Sequence, residues 1–314
     1  IEKIWEINFP DSLGLLYSAF TSFCGFKVNS GEYKLMGLAP YGDPIYANLI
    51  KKELINVRED GSFKLNLEYF SFYYDFKMTN EKFNNLFNIS PREPESKITQ
   101  NYMDIAASIQ EVTTEIVSKL AQSLKNETGL NNLCLSGGVA LNCVANGKLA
   151  TNKSFNNIWI QPASGDAGSS IGAALSTFYT TLKNKREIKT SDSMQGSYLG
   201  CSYSSETITA SLIKTKLKYE KLADNSRYHE IAKLLNDGNV IGIFNGKMEF
   251  GPRALGNRSI IADPRKVDMQ EKMNLKIKFR ESFRPFAPAV LEEEYNNYFD
   301  LPHKSPYMLL VAQL

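Results

Sequence analysis

The 314-residue sequence is poor in the residue types that staple small proteins or hold metals. Its four cysteines, Cys24, Cys134, Cys143 and Cys201, are scattered, and none forms a Cys-x-x-Cys pair. That argues against a disulfide framework or a thiolate metal site and leaves buried free thiols as the reading. Histidine is scarcer still. His229 falls on an amphipathic pattern and reads as a surface or packed residue, and His303 follows a proline in a loop; neither is assigned a chemical role. The formal net charge is only +2, so the excess of cations that grips a nucleic-acid backbone is lacking and no nucleic acid is expected as a partner. No apolar run reaches bilayer-spanning length, and no charged start leads into a short apolar core. The expectation is a cytoplasmic protein without a membrane partner. The sequence starts at Ile1 and stops at Tyr307–Ala312, which reads as the middle or end of a strand; a parent cut at both ends is expected.

What is present is ordinary for a globular chain of two domains: 43% hydrophobic and 22% charged residues. The most informative stretch is Gly246-Lys247-Met248-Glu249-Phe250-Gly251-Pro252-Arg253-Ala254-Leu255-Gly256-Asn257-Arg258-Ser259. The β-branched run 240–244 before it reads as a buried strand that feeds a turn-rich loop. Gly246, Gly251 and Gly256 allow positive φ and close approach of a ligand. Arg253 and Arg258 bring planar guanidinium forks that match carboxylate or phosphate oxygens. Glu249 reads either as an orienting partner for an arginine or for a magnesium-bound water, or as an ordinary ion pair. A second cluster, 276–288, alternates Lys276, Lys278, Arg280 and Arg284 with aromatics and prolines, as the wall of a small-anion pocket would. A solvated surface turn is the competing reading of the first stretch.

Two strand–glycine-loop–helix units lie upstream. The strand 132–135 runs into Ser136, Gly137, Gly138 and Asn142 at the start of a helix, and 157–160 runs into Gly165, Asp166 and Gly168 before a helix at 171–182. Backbone N–H groups and a helix N-terminus at such a turn form a ready anion site, although no Gly-Lys-Ser/Thr follows to make a Walker loop. The pair implies an α/β fold with a parallel or mixed sheet. Asp166 reads equally as a helix-cap residue.

Elsewhere, Asp11-Ser12 reads as the cap of a first helix, and 31–44 is too rich in Gly and Pro for a regular element; it is either a connecting or a pocket-lining loop. A helix is expected at 45–54. Asp60-Gly61 suggests a hairpin. A long helix from 100 to about 125 should present Ile105, Ile109, Ile116, Leu120 and Leu124 on one face and stop at Gly129. The aromatic run 69–74 reads as core or interface packing and leaves a homo-oligomer open. The polar stretch 183–197 reads as an interdomain linker, and helices are expected at 205–216 and 228–235.

The stretch Met248–Ser259 and the cluster 276–288 closely resemble the C-terminal part of the ATP-dependent O-carbamoyltransferases, the nodulation-factor, cephem and aminoglycoside type, and the resemblance covers most of the chain. It implies an actin/sugar-kinase-like carbamoyl-transfer domain at 1–190, incomplete upstream, and a threonylcarbamoyl-adenylate-synthase-like domain at 191–314. It implies carbamoyl phosphate, ATP and Mg2+ as reactants, carbamoyl-adenylate as intermediate, and a hydroxyl-bearing small molecule or sugar as acceptor. Arg253, Lys278 and Arg284 resemble the cations that grip substrate there, with Arg258 and Arg280 behind them. Ser136, Gly137, Gly138, Asn142, Gly165 and Gly168 resemble the nucleotide cradle, and Asp166 resembles a ligand of a divalent iron-type metal. The family's histidine ligands lie upstream, whereas both histidines here lie downstream of Asp166, so that metal site is incomplete in this chain. Lys247 stands where many relatives carry arginine. A tRNA threonylcarbamoylation enzyme, a sugar-kinase-like phosphotransferase and a non-catalytic ATP-binding module are the alternatives.

Overall fold

The structure, a computed structural model, describes residues 2–188 and 191–313. Part of the expected linker, Lys189 and Thr190, lies outside the described residues. The chain divides into two compact units: Ile1–Gln161 with Leu291–Lys304 and Leu309–Leu314, and Pro162–Val290 with Ser305–Met308.

The first unit is mainly helical. Helix α1, Leu13–Phe23, starts where Ser12 Oγ accepts from the Leu15 N–H at 3.2 Å, as its sequence predicts. The Gly/Pro-rich stretch after it is helical, contrary to the expectation of a loop: α2 spans Glu32–Leu38, and a 3-10 turn follows at Ala39–Tyr41. The reason is local and tertiary together. Glu32 accepts from the Asn29 and Gly31 N–H groups at the helix start, and Leu35 and Leu38 are fully buried. Burial of an apolar face outweighs weak propensity. Helix α3 is Ala47–Glu53. Strands β1, Ile55–Val57, and β2, Phe63–Leu65, form the expected antiparallel hairpin. A short helix α4, Glu81–Leu86, capped by Asn80, brings Phe83 inward. Phe83 meets Phe20 and Phe23 with ring centroids 5.1 and 5.3 Å apart, and Phe70 from the aromatic run joins at 5.8 Å. That run therefore supplies core at Tyr69 and Phe70, while Tyr73 and Tyr74 stay exposed.

Helix α5, Gln100–Thr128, is the spine of this unit and ends at Gly129, whose φ of 67° makes the left-handed cap. Ile105, Ile109, Val112 and Ile116 are fully buried along it. Its C-terminal half packs Ala121 against Leu133, Leu149 and Phe155. Those residues belong to or follow the parallel pair β3, Asn132–Leu135, and β4, Asn157–Ile160, and helix α6, Cys143–Thr151. Both strands and their parallel pairing are as the sequence predicts.

The second unit carries α7, Asp166–Ser176, continued by a π-helical turn at Thr177–Thr181, then α8, Ser205–Lys214, and α9, Asp224–Asn236. Strands β5, Ile241–Phe244, and β6, Arg258–Ile261, pair antiparallel around the arginine-rich loop. β5 is where its sequence predicts, but it is half-exposed rather than buried, because it belongs to a two-stranded ribbon with one partner. The end of the polar stretch is a folded turn: the Asp192 carboxylate accepts from the Met194 and Gly196 N–H groups and from the Tyr307 hydroxyl. The fold is thus mixed α/β with small sheets. Among the described residues no helix is long and apolar enough to cross a membrane.

The cysteines depart from expectation. Only Cys24 is buried, and burial pushes its thiol up to about 12 against the opposing pull of Arg92. Cys134 and Cys201 are exposed because both sit on short, two-stranded or irregular segments with little to cover them.

Candidate active site

The arginine-rich loop is built around a buried carboxylate. Gly246, Gly251 and Gly256 have φ of 60°, 120° and 111°, so all three occupy conformations that other residues rarely adopt. The chain between them has no repeating hydrogen-bond pattern and turns back on Glu249, which is 4% exposed. Its Oε1 accepts from the N–H groups of Leu255 at 2.7 Å, Asn257 at 2.8 Å and Arg258 at 3.3 Å. Its Oε2 accepts from Arg258 Nε at 2.9 Å, and Arg258 Nη2 also donates to the Glu249 carbonyl at 2.9 Å. Burial works against this charge. Arg258 and the converging backbone N–H groups outweigh it and hold the carboxyl down to about 2. Glu249 thus forms an ion pair with Arg258, a geometry that both the ion-pair reading and the arginine-orienting reading of the sequence allow. Arg253 is half-buried at the centre of the loop.

The second basic segment is organised by Asn274, which is fully buried within the π-helical turn Lys272–Ile277. Its Nδ2 donates to the carbonyls of Ser282 at 3.1 Å and Arg284 at 2.8 Å, and its Oδ1 accepts from Arg280 Nε at 2.6 Å. This folds 278–284 into a loop that brings Lys278, Arg280 and Arg284 together. Partial burial holds Lys278 below its usual value, and the charges of Arg280 and Arg284 push in the same direction. Arg280 also stacks over Phe286, its guanidinium carbon 4.7 Å from the ring centroid. Arg284 has a loose ion pair with Glu281 at 3.7 Å. The result is a cationic ledge with an aromatic side. Asn274 went unnoticed in the sequence, since a single asparagine between Met273 and Leu275 carries no local signal.

The glycine loops fall in different units. In the first unit, Ser136 is exposed at the end of β3, Gly137 has φ of 98°, and Gly138 opens a 3-10 turn. Asn142 caps α6: its Oδ1 accepts from the Ala145 N–H at 3.1 Å. It is buried in a reciprocal amide pair with Gln110, both bonds 3.0 Å, and Gln110 Oε1 also accepts from the Tyr17 hydroxyl at 3.0 Å. The Asn142 amide is therefore engaged in holding the helix start behind the glycines. Gln110 and Tyr17 are partners that the sequence did not single out. Beside this network an open groove of about 570 Å3 lies between Met36, Pro40, Pro44, Gln110, Thr114 and Lys148. Met36, Ala39, Pro40 and Pro44 of the 31–44 stretch line this groove.

In the second unit, Gly165 is the N-cap position of α7, Asp166 its first residue and Gly168 its third. Asp166 is exposed, and the hydroxyl of Ser164 near it is buried without a hydrogen-bond partner among the described residues. Among the described residues no three His, Cys, Asp or Glu side chains come together as a metal site. The described residues therefore do not fit a metal centre by themselves. His229 and His303 are both exposed.

Comparison with known proteins gives two family matches, whose bounds differ from those of the compact units. Residues 2–175 match the family described as carbamoyltransferase N-terminus, and residues 232–314 match carbamoyltransferase C-terminus. An uncharacterized Synechocystis protein, sll1178, is 56% identical over 99% of the chain and 51% of its own length. Nodulation protein NolO of Bradyrhizobium diazoefficiens is 35% identical over 98% of the chain and 54% of its own length. Nodulation protein NolNO of Sinorhizobium fredii is 36% identical over 97% of the chain and 43% of its own length. The chain spans about half the length of the curated relatives it matches.

Proposed function

This chain belongs to the carbamoyltransferase family, and we propose that it uses carbamoyl phosphate and ATP to make carbamoyl-adenylate and passes the carbamoyl group to a hydroxyl of a small-molecule or sugar acceptor. The observation that carries this reading is the ledge of Lys278, Arg280 and Arg284, three cations held within mutual influence by Asn274. Like charges gathered at one place repel, and a polyanion relieves that repulsion. The planar face of Arg280 on Phe286 offers a flat apolar contact next to the charges.

In this reading water cleaves carbamoyl phosphate to phosphate and carbamate, its oxygen replacing the broken bond and its proton being lost. A carbamate oxygen then bonds to the α-phosphorus of ATP as the bond to the β-phosphate oxygen breaks, and pyrophosphate leaves. Negative charge builds on the phosphate oxygens in that step, and fixed cations lower its barrier more than solvent does. Arg253, Lys278 and Arg284 take this role, with Arg280 as a flanking contact; Mg2+ would arrive with the ATP phosphates. In the second half-reaction the acceptor hydroxyl attacks the carbamoyl carbon, its proton is lost and AMP leaves. Ser136, Gly137, Gly138, Gly165 and Gly168 are the proposed contacts for the nucleotide, with Asn142 shaping the first loop from behind. Asp166 would be one ligand of the iron-type metal, completed from outside the described residues; no step here depends on that metal. The finer fold assignments, actin-like for the first part and adenylate-synthase-like for the second, belong to the same proposal.

The test is pyrophosphate release with carbamoyl phosphate, ATP and magnesium, on this chain and on a form extended to the length of its relatives. Release that needs carbamoyl phosphate and falls at least about 100-fold in Arg253→Ala and Arg284→Ala is expected. Absence of release from the extended form would overturn the proposal.

A further inference from the structure

We infer that Glu249 is a positioning residue that holds Arg253 in place through the loop between them, and that Arg258 is its internal partner rather than a cation that grips substrate. The inference deepens the carbamoyl-transfer reading and rests on it for its kinetic part.

The geometry is specific. The loop from Glu249 to Arg258 has no helix or strand of its own before β6. Outside contacts reach its ends: the Phe250 N–H donates to the Ser197 carbonyl at 2.6 Å, and the Tyr198 hydroxyl donates to the Leu255 carbonyl at 2.8 Å. What closes the loop on itself is one carboxylate that takes N–H groups from Leu255, Asn257 and Arg258. A charged acceptor shared by several N–H donors is stronger than neutral acceptors, and burial makes the loss of any member costly. Arg258 spends Nε and Nη2 on the carboxylate and carbonyl of Glu249, so the fork that would grip a phosphate is turned inward. Arg253 lies between the two anchored ends. Its presentation therefore depends on Glu249 although the two need not touch, as expected where a reacting group must be held within a fraction of an ångström.

Glu249→Gln keeps the shape, removes the charge and faces an NH2 group towards donors. Hydrogen exchange of this chain is the first readout. The amides of Leu255, Asn257 and Arg258 should exchange at least about tenfold faster in Glu249→Gln, while those of Ile105–Ile116 in α5 keep their protection. Unchanged exchange at these three amides would overturn the inference. The second readout is a kinetic cycle on pyrophosphate release in the extended form. Arg253→Ala should cost far less in the Glu249→Gln background than in the wild type, because Arg253 is already displaced there. An equal cost in both backgrounds would overturn the positioning role. A loss from Arg258→Ala that adds in full to that of Glu249→Gln would make Arg258 a substrate contact and overturn its assignment as partner. Should Glu249→Gln not fold, Arg258→Lys, which keeps the charge but lacks the fork, is expected to give the same exchange signature at Leu255 and Asn257. Wild-type protein without pyrophosphate release would remove the carbamoyl-adenylate reading and the kinetic part with it, and exchange alone would still decide whether Glu249 holds the loop.

Discussion

A buried carboxylate surrounded by donors ties the stability of its loop to pH. Glu249 ionises near 2 in the fold against an ordinary 4.5. A depressed carboxyl contributes stability that is complete above its unfolded value and is lost as pH falls towards the folded one. The window is therefore from about 4.5 down to about 2, and the size is on the order of 3 kcal/mol. Urea midpoints of wild type and Glu249→Gln should differ most near neutral pH and converge as pH falls below about 4. A difference that stays constant across that range would mean the charge of Glu249 is not what stabilises the loop. At the same scale lies the contrast between Arg258 and Arg284. Both are arginines in basic motifs, and the resemblance ranks Arg284 ahead of Arg258. One is held by a buried glutamate at 2.9 Å, whereas the other sees Glu281 only at 3.7 Å.

At the scale of elements, α5 organises the first unit and dictates how close its neighbours come. The backbone of Gly42, just after the 3-10 turn that follows α2, lies against it: a Cβ there would sit 2.1 Å from the Met103 carbonyl carbon and 2.2 Å from its oxygen. Both obstacles are helix backbone, which cannot swing aside. Gly42→Ala should therefore lower the unfolding free energy by about 1–3 kcal/mol or more, as overpacking does, measured as a fall in urea midpoint. A variant as stable as the wild type would show that the 39–44 turn can lift off α5. The helical stretch 32–41 also shows why Gly and Pro misled the local reading. Pro40 sits early in a 3-10 turn, where its absent N–H is not missed, and Glu32 supplies the cap that Gly31 cannot.

At the scale of the whole molecule, the first unit owes its core to aromatic packing. Phe83, fully buried on the short helix α4, touches Phe20, Phe23, Phe70 and Phe87. Truncation of such a ring leaves a cavity that rigid neighbours do not fill, and Phe83→Ala should cost about 3–5 kcal/mol. The expected signature is faster amide exchange along α5. A loss under about 1 kcal/mol would mean the cluster collapses around the gap. Residues 2–175 and 232–314 match the N- and C-terminal carbamoyltransferase families, and the chain covers about half the length of its relatives. The adenylate-forming and acceptor chemistry proposed for this chain is accordingly tested best in the extended form.

The sequence by itself determined the strands β3, β4 and β5, the β1–β2 hairpin, the long helix and its stop at Gly129, the glycine positions of the arginine loop and the family. Each of these rests on local chemistry: β-branched runs, a 3.6-residue apolar period, positive φ at glycine, or a long motif. Only the tertiary structure decided that Arg258 closes on the buried Glu249, that Asn274 gathers Lys278, Arg280 and Arg284, and that Gln110 and Tyr17 hold Asn142. It also decided that 32–41 is helical and that Cys134 and Cys201 lie at the surface. These features depend on which polar atoms meet after the chain has folded. A hydrogen bond between residues far apart in sequence, such as the pair 32 positions apart at Gln110 and Asn142, leaves no trace in the local pattern of either segment.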